Sequence, residues 1–251
     1  MTEIISIINQ KGGVGKSTTA QALGQGLKEL HNKKVLFIDL DAQGNLTHTL
    51  GAEASPRTAW ELLQGECKIT DVIQSLPTGD VIPSNPNLSM ADITINATGK
   101  EYRLKEALTP ILSKYDYVII DTPPALGILT VNALTASHSA IIPAQADIYS
   151  VQGILQLNGT IETVKKYCNK DLLIKGVVLT RYNNRAVLNK QLANKLEEIA
   201  SQLNTKVFKT KIRDAVAVRE AQALKQSLYA YAPKSNATKD YTDLTKEVLK
   251  S

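Results

Sequence analysis

Residues 4–19 constrain the fold of this chain more than any other stretch. Ile4-Ile5-Ser6-Ile7-Ile8 is short, β-branched and almost wholly apolar, the make-up of a strand covered on both faces. It runs without a spacer into Asn9-Gln10-Lys11-Gly12-Gly13-Val14-Gly15-Lys16-Ser17-Thr18-Thr19, and a helical pattern follows over 18–30. A buried strand that empties into glycines and then into a helix predicts the opening of a βαβ unit. The ordinary phosphate loop reads G-x-x-x-x-G-K-[ST]. Gly15-Lys16-Ser17 supply its second half, while Gln10 occupies the first glycine position and Lys11, Gly12 and Gly13 follow. The physics survives that change. Gly12, Gly13 and Gly15, with Val14 between them, let backbone N–H groups turn toward phosphate oxygens, and the helix adds its positive end. Lys16 is placed to neutralise β- and γ-phosphates, Ser17 to ligate Mg²⁺, and Thr18 to donate to the α-phosphate.

The rest of the chain repeats the strand–helix alternation. Short apolar runs over 35–38, 118–120, 140–142 and 174–179, with a further short one over 80–83, predict strands. Helical patterns cover 102–113, 127–136, 151–167 and 188–203, and 237–249 closes the chain with Tyr241, Leu244 and Val248 on one face. This order predicts an α/β fold: a single doubly wound, mostly parallel sheet with helices on both faces. Residues 44–100 are less regular and predict surface helices and loops. The 251 residues suit one sizeable domain, and 43% hydrophobic with 21% charged residues excludes disorder as the main state. No apolar run approaches the ~18 residues of a membrane span, and the first ten residues lack the basic start and long apolar core of a signal peptide. Cys67, Cys168 and three histidines are too few for a disulfide framework or a histidine–cysteine metal cluster, so a cytoplasmic protein is expected.

Charge is divided unevenly. Residues 1–150 carry 11 Lys/Arg against 15 Asp/Glu, and residues 151–251 carry 18 against 9, within an overall net charge of +5. Lysine-rich helical surfaces keep proteins soluble, and the same excess suits a polyanion.

The pattern K-G-G-x-G-K-[ST] formed by Lys11 to Ser17 resembles the deviant Walker A box of the ParA/MinD/Soj family of ATPases. The resemblance implies ATP and Mg²⁺ as cofactors. It also implies that Lys11 crosses a dimer interface to touch phosphates held by the partner subunit, much as an arginine finger does. Asp39-Leu40-Asp41-Ala42-Gln43-Gly44-Asn45 resembles the family's first switch, D-x-D-P-Q-G-N, with Ala42 in place of proline. By that resemblance Asp41 orients the attacking water and Asp39 supports the Mg²⁺ shell. Asp121-Thr122-Pro123-Pro124, after an apolar run, resembles the second switch, so Asp121 is implied to bind Mg²⁺ through water. Similarity continues through 126–134, 141–145, 151–153, 176–183 and 212–222, and it places Asn183, Ile212 and Arg213 beside the nucleotide. Ala215 stands where that last segment usually carries Asn. The whole chain, 1–251, is thus read as one ParA-type ATPase domain of the small Soj-like kind, without an N-terminal helix-turn-helix.

The resemblance also gives the basic half a partner. Soj-like dimers bind double-stranded DNA without sequence preference, and Arg185, Arg213 and Arg219 fall in the segments that supply such contacts. It implies a homodimer formed with ATP, slow intrinsic hydrolysis stimulated by a ParB-type protein, and a nucleoid-associated place in the cytoplasm. Three alternatives remain at the level of sequence. A MinD-like switch shares the ATP site but ends in an amphipathic membrane helix, and the tail here has few bulky apolar residues. Iron–sulfur carriers of the wider group need paired cysteines, and Cys67 and Cys168 form no C-x-x-C. A nucleotide-bound scaffold would lack hydrolysis, against which Asp41 argues.

Overall fold

The computed structural model describes residues 2–183 and 187–251. Eight strands form one sheet: β1 (Glu3–Ile7), β2 (Val35–Asp39), β3 (Gln74–Leu76), β4 (Gly79–Ile82), β5 (Tyr117–Asp121), β6 (Ser139–Ala144), β7 (Leu173–Leu179) and β8 (Val207–Lys211). Their order is β3-β4-β2-β5-β1-β6-β7-β8, and only β3 runs antiparallel to its neighbour. Eleven α-helices are described: α1 (Lys16–His31), α2 (Asn45–Leu50), α3 (Ala59–Gln64), α4 (Ala91–Thr94), α5 (Arg103–Leu108), α6 (Ile128–Ala136), α7 (Ile148–Tyr167), α8 (Val187–Gln202), α9 (Val216–Ala223), α10 (Leu228–Tyr231) and α11 (Asn236–Leu249).

The central strands read as apolar runs because both faces are covered. On one side Phe37, Ile119, Ile141 and Val178 pack with Leu23 and Leu27 of α1 and with Tyr241, Leu244 and Val248 of α11. On the other, Leu36, Ile38, Val118 and Ile120 pack against α3, α5 and α6. α1 lies hard against the sheet because Gly24 carries no side chain: a Cβ there would come within 2.2 Å of the Phe37 ring. Such a clash in a close-packed core has no cheap relief.

Two strands lie outside the apolar runs of the sequence. β8 reads Val-Phe-Lys-Thr-Lys and buries one residue, Phe208, as a half-polar edge strand can. β3 is only three residues long. The pattern over 102–113 is not one helix: 3-10 turns (Lys100–Tyr102 and Thr109–Lys114) flank α5, and Pro110 opens the second of them. Among the described residues no helix is long and apolar enough to cross a membrane.

Candidate polyphosphate site

Strand register builds the site before any side chain is considered. Asp121 pairs with Asp39 across β5 and β2, and with Ile7 across β5 and β1. Two carboxylates therefore leave the sheet level with each other, beside the loop that leaves β1. In an open parallel sheet this edge is where ligands sit.

The loop is held from behind. The Asn9 side chain donates to the Pro143 carbonyl at 2.7 Å and accepts from the Lys11 N–H at 2.9 Å. The Thr180 hydroxyl donates to the Val14 carbonyl at 2.8 Å, and Gln145 donates to the Gly13 carbonyl at 3.2 Å. Gly13 (φ 74°) and Gly15 (φ 85°) take the left-handed backbone the turn requires. Gly15 is also the N-cap of the 16-residue α1, so no side chain caps that helix and its first-turn N–H groups stay open to an anion.

Charge is concentrated here and buried. Lys16 is 7% exposed; burial lowers its pKa, while the Asp121 and Asp41 carboxylates pull it up. Asp39 is fully buried, and its pKa is pushed up to about 6, chiefly by burial. The Thr47 N–H and hydroxyl, each at 2.8 Å, and the Asp41 N–H at 3.0 Å oppose that shift. Asp121 is raised well above the usual carboxylate range by burial and then by Asp39; Ser17 and Lys16 lower it. Both Asp121 carboxylate oxygens are buried, and neither makes a well-aligned hydrogen bond to a described residue, the Ser17 hydroxyl standing beside them. A buried carboxylate next to a hydroxyl and short of well-aligned hydrogen bonds fits a hydrated divalent cation, so Ser17 and Asp121 suit Mg²⁺.

The cleft above these groups holds about 500 Å³ and is lined by the glycines, Lys16, Ser17, Thr18, Asp41 and Pro124. A narrower cavity of about 80 Å³ touches the same loop at Gly15 and Thr18 and is lined by Ile212, Arg213, Arg219 and Tyr241. The Asp41 carboxylate accepts from the Gln43 N–H at 3.0 Å, and its backbone carbonyl accepts from Ser84 at 2.6 Å. Arg181 borders both cavities with a left-handed backbone (φ 48°), a conformation that costs a non-glycine residue energy.

Lys11 and Lys16 differ sharply. Lys11 points away from the cleft, its ammonium 2.5 Å from an Asp147 carboxylate oxygen and 5.9 Å from the centre of the Tyr149 ring. Arg213 is also occupied: its guanidinium grips both carboxylate oxygens of Asp240, at 2.9 and 2.6 Å, and its N–H adds a third bond. Arg213 therefore borders the narrow cavity while clamped to α11. Arg219 is exposed on α9, and Asn183 is exposed and outside the lining of either cavity. Arg185 lies outside the described residues.

Four contributors were not singled out as site residues, although Gln222 ends the 212–222 segment. Thr47 fixes Asp39, Asp147 holds Lys11, Asp240 holds Arg213, and Gln222 lines both cavities. Thr47, Asp147 and Asp240 signal only as ordinary polar residues, and each of the four meets its partner through the fold.

Comparison with known proteins agrees with this build. An AAA domain family matches residues 2–174. The sporulation initiation inhibitor protein Soj of Bacillus subtilis is 42% identical over 253 residues, covering 99% of this chain and 98% of that protein. The chromosome partitioning protein ParA of Caulobacter vibrioides is 39% identical, covering 98% of this chain and 93% of that one. Among solved structures, apo McdA of Cyanothece superposes with a TM-score of 0.90 at 28% identity, over 99% of this chain and all of that one. Cobyrinic acid a,c-diamide synthase of Mycobacterium smegmatis, solved with ADP and magnesium, gives 0.86 at 31% identity, over 100% of this chain and 95% of that one. With a deviant phosphate loop beside two switch carboxylates, and relatives matched over nearly their whole length, the chain belongs to the ParA/Soj family of partitioning ATPases.

Proposed function

We propose that residues 1–251 act as one ATP-driven DNA-partition ATPase unit, whose ATP-bound dimer holds double-stranded DNA without sequence preference and whose hydrolysis releases it. The observation that carries the reading is the uncapped first turn of α1 set against buried Lys16 and the buried Asp121 carboxylate. Such an arrangement leaves N–H donors and a cation for a triphosphate and a carboxylate for its metal. Backbone N–H groups from Gly12 to Thr18 bind the phosphates, Lys16 bridges the β- and γ-phosphates, and the Thr18 hydroxyl donates to the α-phosphate. Ile212 and Arg213 flank the nucleoside, joined by Asn183 just after β7. Ser17 and Asp121 would hold Mg²⁺, with Asp39 behind them, and the ion would supply charge neutralisation for a bound triphosphate.

Asp41 orients a water for in-line attack on the γ-phosphorus. The new P–O bond forms as the bond to the β-phosphate oxygen breaks, giving ADP and phosphate. Lys11 reaches the partner subunit's phosphates in the dimer, which requires it to leave Asp147. Intrinsic turnover is slow until Lys11 of the partner subunit supplies its charge at the phosphates, and a ParB-type protein accelerates it.

The DNA face is the basic half. Lys206 and Lys209 are exposed around β8 and Arg219 on α9; the family resemblance adds Arg185, which lies outside the described residues. Arg213 adds charge while tied to Asp240. The chain works in the cytoplasm, on the nucleoid. Burial of Tyr241, Leu244 and Val248 in the core argues against α11 as a MinD-like membrane anchor.

The test is retention on random-sequence duplex DNA with ADP, ATP and a slowly hydrolysed ATP analogue, at two salt concentrations. Retention with ATP and the analogue only, falling steeply with salt, is expected. Retention indifferent to nucleotide, or absent throughout, overturns the reading.

A further inference from the structure

We propose that Gln222 is a positioning residue for the phosphate site: its side-chain amide turns the Thr18 hydroxyl proton into the cleft and ties α9 to the first turn of α1. The inference rests on reading the cleft as the ATP site. Gln222 reaches from α9 over the start of α1 and donates to Thr18 Oγ1 at 3.2 Å and to Gln21 Oε1 at 3.3 Å. A primary amide has two N–H donors, so both are spent.

The direction of this chain is fixed at its far end. Gln21 Nε2 donates to the Thr49 carbonyl at 3.4 Å, and a carbonyl can only accept. Gln21 must then present its oxygen to Gln222, and Gln222 its nitrogen to both neighbours. Reversing the Gln222 amide would set two carbonyl oxygens against each other. Thr18 Oγ1 is therefore an acceptor toward Gln222, and its single proton must go elsewhere.

A threonine on a helix ordinarily folds that proton back onto the carbonyl four residues earlier. For Thr18 that carbonyl is Val14's, which takes the Thr180 hydroxyl at 2.8 Å, and among the described residues the Thr18 hydroxyl donates neither to it nor to any other protein acceptor. What remains is the cleft, which Thr18 lines together with Lys16 and Ser17. A hydroxyl whose lone pair is engaged from behind is preorganised to donate to an anion in front, and it spends no rotor entropy when the anion arrives. The same contacts link three elements around the cleft, because Thr49 lies in the last turn of α2, Gln21 on α1 and Gln222 on α9. Arg219, one turn before Gln222 on α9, lines the narrow cavity with it, so the helix that reads the phosphate loop also carries a basic residue of the outer face.

A double-mutant cycle on ATP affinity, by isothermal titration calorimetry with Mg²⁺ present, tests this. Gln222→Ala is expected to weaken ATP about tenfold, the worth of one hydrogen bond to a charged group. Thr18→Ala should cost about the same, and the double variant should bind within about twofold of Thr18→Ala alone, since the two act through one bond. Losses that multiply to about a hundredfold would overturn the proposal. Gln222→Glu keeps size and shape, and guards against a Gln222→Ala chain that fails to fold. Its carboxylate takes the Thr18 proton for itself and adds negative charge, so it should bind ATP more weakly than Gln222→Ala; wild-type affinity in that variant also overturns the proposal. A wild-type chain that binds no ATP overturns the ATP reading along with it, whereas additive losses in a chain that does bind ATP leave that reading intact.

Discussion

The carboxyl edge of β1, β2 and β5 and the basic face around β8, α9 and α11 treat charge in opposite ways. At the first, Lys16, Asp39, Asp41 and Asp121 are all buried, and burial drives the pKa of Lys16 down and those of Asp39 and Asp121 up. Charges held that way are costly in the ligand-free chain, and a ligand and a metal relieve the cost. At the second, Lys206, Lys209 and Arg219 stand in solvent, where one lysine can replace another with little change. The difference teaches how far each part can be read. A buried charge is tied to a spacing, and an exposed one only to a net balance.

Removing the buried cation tests the first side of the comparison most severely. Lys16→Ala leaves the Asp121 and Asp41 carboxylates without their compensating charge and takes the main counter-charge from the phosphates. ATP affinity is expected to fall about a thousandfold, as when one member of a buried charge pair is truncated. Equilibrium binding measures it, and retained affinity would mean the triphosphate sits elsewhere. Asp41→Ala should be smaller and of another kind. Hydrolysis falls about a hundredfold while ATP still binds, because a water-orienting group acts only on the reacting state. The expected product is a long-lived ATP-bound dimer, visible by size-exclusion chromatography with ATP; normal turnover would remove Asp41 from that role.

The same contrast explains what was legible in the sequence. Strands β1, β2, β5, β6 and β7 were readable because double burial forces an apolar run, and the acids at 39 and 121 because they end such runs. β8 was not, since one buried phenylalanine among lysines and a threonine carries no period. The partners of Thr47, Gln222 and Asp240 were unreadable for a different reason: Asp240 lies 27 residues from Arg213, and Gln222, though it ends the 212–222 segment, lies 204 from Thr18. No local pattern encodes such a meeting; sheet order and helix placement do. Arg213 shows the consequence, because segment similarity marked it for both nucleotide and DNA, and its clamp to Asp240 became apparent only once α11 was in place.

On the exposed side the expected effects shrink. Arg219→Ala should lower the slope of log affinity for DNA against log salt by about one counterion, leaving ATP-driven dimerisation unchanged. Retention on DNA measured across a salt series gives the slope directly. An unchanged slope would move the DNA face off α9 and break the second half of the comparison.

The smallest effect belongs to the lysine that lies between the two regimes. Lys11 comes from the buried loop, yet its ammonium pairs outside the cleft with Asp147, at 28% and 31% side-chain exposure. Asp147 does two jobs: one oxygen holds Lys11, and the other caps α7 by accepting from the Ser150 N–H at 2.8 Å. Asp147→Asn keeps the cap, since Asn caps as well as Asp, and gives up only the ion pair. A pair this exposed is screened, so the stability lost should stay below about 1 kcal/mol. Asp147→Ala loses the cap too and should cost about 1 kcal/mol more. Urea unfolding of the two variants separates the contributions. If Asp147→Asn is as destabilising as Asp147→Ala, the ion pair is structural and Lys11 behaves like the buried charges; if it is nearly neutral, Lys11 is held loosely enough to leave for a partner.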